Sequence, residues 1–137
     1  MLNAPVLRRV RIAVPAIILI VLLGGLTASV RAWNQGKKDF AVSAHKYGFK
    51  VDGNGSEIHV QQDDLVRITF STEDIPHSFT VDDETYRLMK RAEPGKPVTF
   101  EFRADKAGRF PFKCTLANDD RCKEMAGVLI VDPRKKN

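Results

Sequence analysis

From Ile12 to Val30 the chain runs for 19 residues without a charge, IAVPAIILIVLLGGLTASV. As a helix this run would extend about 28 Å at ~1.5 Å per residue, close to the ~30 Å hydrocarbon core of a bilayer. Such a helix would be apolar on every face, and the rest of the chain is too short to wrap it as a core element. Arg8, Arg9 and Arg11 precede it, and residues 1–32 hold no acid. The positive-inside rule then predicts a cytoplasmic N-terminus and a periplasmic or extracellular C-terminal domain, held to the cytoplasmic (inner) membrane by a single pass. The run is longer than the ~7–15-residue apolar region of a signal peptide, so an uncleaved anchor is the expected form. A signal peptide cleaved near Val30-Arg31-Ala32 is the alternative. Either form puts the remainder in an oxidising compartment, where thiols persist only if protected or metal-bound.

The chain of 137 residues therefore divides into a basic N-terminus (1–11), an anchor (12–30), a linker (31–38), one folded domain (39–133) and a solvated tail (134–137). The net charge of +5 does not point to nucleic acid. Four of the 22 Lys and Arg lie in residues 1–32, which leaves 18 against 17 Asp and Glu in the rest, a balance of +1. A domain of this size excludes a TIM barrel. Two cysteines exclude a disulfide-dense scaffold or a four-cysteine zinc site.

After the linker the pattern is that of strands. Ile58 and Val60, then Leu65, Ile68 and Phe70, are the expected inward positions of two strands. Phe79 and Val81 flank Thr80. Val98, Phe100 and Phe102 alternate with Thr99 and Glu101, and Phe110, Phe112 and Cys114 alternate in turn. Val128–Val131 reads as a buried closing strand. Seven or so short strands with turn signals between them predict an all-β, antiparallel sandwich.

Four donors fall at the ends of these strands: His77, Cys114, Cys122 and Met125. Imidazole, thiolate and thioether together select copper over harder metals. Zinc accepts the first two but seldom the third. Each donor also has a plain reading. Cys114 and Met125 fit a core, and Cys114 and Cys122 could close the loop between them as a disulfide worth about 2–3 kcal/mol. A Cys114–Cys122 bond would favour a metal-free structural domain, or one that takes up copper only after reduction. His45 and His59 read as surface residues, with His45 a reserve ligand. No catalytic serine triad, phosphate-binding glycine loop or HExxH motif is present, so no small-molecule substrate is expected.

The domain resembles a cupredoxin, and most closely the copper-binding domain of cytochrome c oxidase subunit II and its small membrane-anchored relatives. The resemblance rests on Tyr47-Gly48-Phe49, on Ser71–Phe79 with its His77-Ser78-Phe79, on Ala107–Cys114, and on Met125–Val131. It implies a Greek-key sandwich holding one or two copper ions, with His77, Cys114 and Met125 as ligands. It also implies electron transfer beside a respiratory-type membrane complex, with a redox protein or that complex as partner. Copper storage or delivery, or a metal-free structural subunit, are the alternatives. The chain departs from the family pattern where a loop histidine is expected: Cys122 stands three residues before Met125. Two thiolates with one imidazole and one thioether would favour Cu(I).

Overall fold

The computed structural model describes residues 36–135. Nine strands are found there: β1 (Lys37–His45), β2 (Gly48–Val51), β3 (Glu57–Gln61), β4 (Leu65–Thr72), β5 (His77–Val81), β6 (Leu88–Ala92), β7 (Val98–Arg103), β8 (Gly108–Lys113) and β9 (Ala126–Asp132). A 3₁₀ turn, Asp120–Glu124, is the one helical element among the described residues. The anchor expected over Ile12–Val30 lies outside them. No helix within them is long and apolar enough to cross a membrane.

The strands form two sheets, ordered β2-β1-β4-β7 and β3-β9-β8-β5-β6. The chain changes sheet after β2, β3, β4, β6 and β7, so short strands with one apolar face each find a partner layer. The expected all-β sandwich is present, but it is not antiparallel throughout. β1 lies parallel to β4, and β3 parallel to β9. Period-2 alternation is blind to strand direction, and direction is decided by the crossovers between sheets. β1 also begins at Lys37, inside the stretch read as linker, because Lys37 and Lys38 pair with Leu65 and Val66.

In β4 the inward residues are Val66, Ile68, Phe70 and Thr72, with Leu65 half-buried on the other face. Leu65 and Ile68 cannot share a face of one strand, and the adjacent Leu65 and Val66 leave the starting phase ambiguous. β6 shows no alternation of large apolar residues. It is an edge strand whose one fully buried residue is Ala92, and its Met89 is 62% exposed.

Between the sheets lies an aromatic core. The Phe79 and Phe112 rings stack at 4.6 Å, with Phe49 edge-on to Phe112 at 5.1 Å and Phe100 tilted against Phe79 at 5.6 Å. Phe112 reaches so close to Gly127 that a Cβ there would lie 2.2 Å from the ring and 2.6 Å from the Ser56 carbonyl oxygen. Glycine at 127 thus lets β9 close on β8 immediately after Met125.

Candidate metal centre

Three neighbouring strands deliver donors to one end of the sandwich. β8 is antiparallel to both β5 and β9. The start of β5, the end of β8 and the start of β9 therefore lie together. His77 is the first residue of β5, Cys114 follows β8, and Met125 precedes β9. Cys122 lies in the 3₁₀ turn between β8 and β9. His77, Cys114 and Cys122 are wholly buried, and Met125 is 1% exposed.

The ligand atoms of His77, Cys114 and Cys122 all lie within 4.8 Å of one another. His77 Nδ1 is 3.8 Å from Cys114 Sγ and 3.6 Å from Cys122 Sγ. Met125 joins them through its backbone: its N–H donates to Cys122 O at 3.1 Å, and its carbonyl accepts from Cys114 N–H at 3.4 Å. His59 stands apart on β3, exposed and 3.0 Å from Glu57. His45, the reserve ligand, is not part of the cluster; its Nδ1 is buried without a hydrogen-bond partner.

The two cysteines are joined as a disulfide, with their Cα atoms 5.4 Å apart. Of the readings the sequence left open for Cys114 and Cys122, the structure takes the bonded one. In this state neither sulfur is a thiolate, and metal ligation by cysteine requires the thiolate.

The histidine is nevertheless arranged like a ligand. Its Nε2–H donates to Asp74 Oδ1 at 2.9 Å, because a carboxylate only accepts. Nδ1 faces the two disulfide sulfurs, which have no proton to give. Sulfur is a weak hydrogen-bond partner, so this nitrogen is held less firmly than Nε2. Asp74 is itself fixed, accepting from Ile75 N–H at 2.7 Å and Lys46 N–H at 2.6 Å. Burial pushes the Asp74 carboxyl up, but the bonds from Ile75, Lys46 and His77 outweigh it and hold the group below the usual carboxylate range. A carboxylate on the far nitrogen of a metal-binding histidine sets its tautomer and ring plane.

Cys114 Sγ also receives a long contact from Ser78 N–H, 3.5 Å. Ser78 Oγ accepts from Thr115 N–H at 2.8 Å, which fixes the residue after Cys114 to the residue after His77. Asn118 Nδ2 donates to Pro76 O at 3.1 Å across the same gap. Asp74 and Ser78 escaped the sequence reading as functional residues. Their signal was the spacing to His77, with the acid three residues before it and the hydroxyl one after. Beside Cys114 a shallow cavity of about 260 Å³ opens to solvent between Lys113, Thr115 and Lys123.

Comparison with known proteins bears on the fold. The chain is similar in fold to a chain in a cryo-EM structure of a heme-copper terminal oxidase dimer. The identity is 20% and the TM-score 0.61, with 85% of this chain and 95% of that chain covered. It is similar also to the periplasmic domain of subunit II of cytochrome oxidase of Bradyrhizobium japonicum (18% identity, TM-score 0.58, 69% and 83% covered). A third likeness is a mixed disulfide between a thioredoxin-like protein and subunit II of cytochrome c oxidase (15% identity, TM-score 0.57, 69% and 81% covered). No curated protein matches the sequence. The sequence profile of the cupredoxin-like domain matches residues 15–131, and the chain belongs to that family.

Proposed function

We propose that this is a membrane-anchored, exported copper protein whose site opens when the Cys114–Cys122 disulfide is reduced. The observation that carries the reading is His77: wholly buried, fixed through Nε2 by Asp74, with Nδ1 turned to both sulfurs. A disulfide that only braced a loop would not need a histidine in that pose. The donor set fits copper once the cysteines are thiolates, since imidazole and soft sulfur converge in a buried pocket. His77, Cys114 and Cys122 would hold the ion, with Met125 the weak fourth donor. Copper would supply one-electron transfer, and the strand ends would keep His77 and Cys114 fixed between oxidation states. Asp74 orients the imidazole, and the aromatic core excludes water from beneath the site.

The likeness to oxidase subunits supports a place in or beside a respiratory-type membrane complex, with electron exchange at the outer face of the membrane. The division into anchor (12–30), linker and domain, and the periplasmic or extracellular location, belong to the same proposal. They rest on the uncharged run and the arginines before it. A dithiol protein is the fitting reductant, given the subunit II neighbour captured in a mixed disulfide with a thioredoxin-like protein. The cavity between Lys113 and Lys123 lies beside Cys114, on the side from which a reductant would approach.

An anaerobic copper titration of the full chain, with and without prior reduction, tests the reading. Uptake only after reduction, with a thiolate-to-copper band and a Cu(II) EPR signal on oxidation, is expected. Copper held only as Cu(I) would assign storage or delivery in place of electron transfer. The disulfide itself favours a second reading, a metal-free structural subunit, and no uptake after reduction would establish it.

A further inference from the structure

We propose that Tyr47, Asp119 and Arg121 form a clasp that keeps Cys122 beside His77 when the disulfide is open. The proposal rests on the copper reading for its purpose, but not for its test. Cys122 needs such a device. It is the one buried residue between Ala117 and Glu124, and a single 3₁₀ turn does not hold itself. Reduction removes the covalent bond that ties this turn to β8.

The clasp comes from the other sheet. Tyr47 sits in the turn between β1 and β2. The Arg121 guanidinium lies over its ring at 4.1 Å, and its hydroxyl donates to Asp119 Oδ2 at 3.2 Å. The other oxygen of Asp119 caps the 3₁₀ turn by accepting from Arg121 N–H at 2.9 Å. The residue before Tyr47 is anchored as well: Lys46 N–H donates to Asp74 Oδ2, while Asp74 Oδ1 takes His77 Nε2–H. One carboxylate thus sets both the imidazole and the turn that carries Tyr47. Through Tyr47 the Cys122 turn is registered to the same point. Tyr47, Asp119 and Arg121 are positioning residues.

The redox equilibrium of the full chain with glutathione reads this directly. Two glutathione thiols reduce the disulfide to two cysteine thiols and become one glutathione disulfide, so the equilibrium constant reports the effective concentration of the cysteine pair. With the bond intact the turn is held regardless of the clasp, and without the clasp only the dithiol gains freedom. Tyr47→Ala should therefore shift the equilibrium about tenfold toward the dithiol, the scale of one stacked cation plus one bond to a carboxylate. Tyr47→Phe, which keeps the ring, should recover part of that shift. Arg121→Ala, an exposed site that cannot unfold the sandwich, should give a smaller shift in the same direction. Shifts under twofold in both Tyr47→Ala and Arg121→Ala would overturn the clasp. Copper affinity of the reduced variants is the second readout. A fall matching the redox shift supports the whole scheme. A redox shift with no copper bound by any variant supports the clasp and removes the copper reading beneath it.

Discussion

Each end of the sandwich buries a polar side chain, and the two are treated differently. At the end where β4 begins, Asp64 is 2% exposed and both its oxygens are used: Oδ2 accepts from Gln61 N–H at 3.0 Å and Oδ1 from the Arg134 guanidinium at 3.3 Å. At the end where β4 stops, His77 is equally buried, but only Nε2 has a firm partner. A fully paired buried group is architecture, since it joins segments and has nothing left to offer. A group whose second atom meets only sulfur still has that atom to offer, and it faces the cysteines.

The sharpest way to break this contrast is Cys114→Ser. It should weaken and shift the thiolate-to-copper absorption of the reduced chain, to which Cys122 alone would then contribute, while leaving the Asp64 end unchanged, and an unchanged band would remove Cys114 from the site. Asp74→Asn comes next. Loss of the carboxylate behind His77 should lower copper affinity about 10- to 100-fold, measured against a competing Cu(I) chelator. Asp64→Ala should do the reverse. It should leave copper binding as it was and cost about 1–2 kcal/mol in urea denaturation, because two part-buried hydrogen bonds are lost. If the two carboxylates proved interchangeable in these assays, the distinction between the ends would fail.

The smallest effect concerns pH. The Tyr86 hydroxyl donates to Lys106 O at 2.8 Å and accepts from Lys106 N–H at 3.0 Å, beside the β7–β8 turn. Burial pushes its pKa up from 10.0; the Lys106 N–H opposes this, and the charges of Asp105 and Asp83 add to the rise. The fold therefore favours the neutral phenol. Its contribution is complete below about pH 10, the unfolded value, and fades as pH climbs through the raised folded value. Tyr86→Phe should flatten the alkaline limb of a stability–pH curve. An unchanged limb would assign that loss to other groups.

Much of this was legible in the sequence. Val98, Phe100 and Phe102, and Phe110, Phe112 and Cys114, alternate because each strand has one face on the core, and the structure places them so. His77, Cys114, Cys122 and Met125 stood out because soft donors at strand ends are rare. What could not be read was strand direction, the edge strand β6, and the state of the two sulfurs. Spacing says that Cys114 and Cys122 can meet; whether they meet as a bond or around an ion depends on the redox environment. Asp74 was hidden for another reason. An acid in a polar loop looks solvated until the fold turns three donors onto it.

β1 also sets a distance. Gly36 carries the chain into Lys37 at the Asp64 end, where its carbonyl accepts from Leu65 N–H, and Arg134 leaves beside the same carboxylate. His45, eight steps on, lies at the cysteine end, about 26 Å away at ~3.3 Å per residue. The strand is a strut. A fluorophore or affinity handle fixed near Gly36 or Arg134 stands clear of the loops around His77, so this end offers attachment points that leave the approach to the cysteines open.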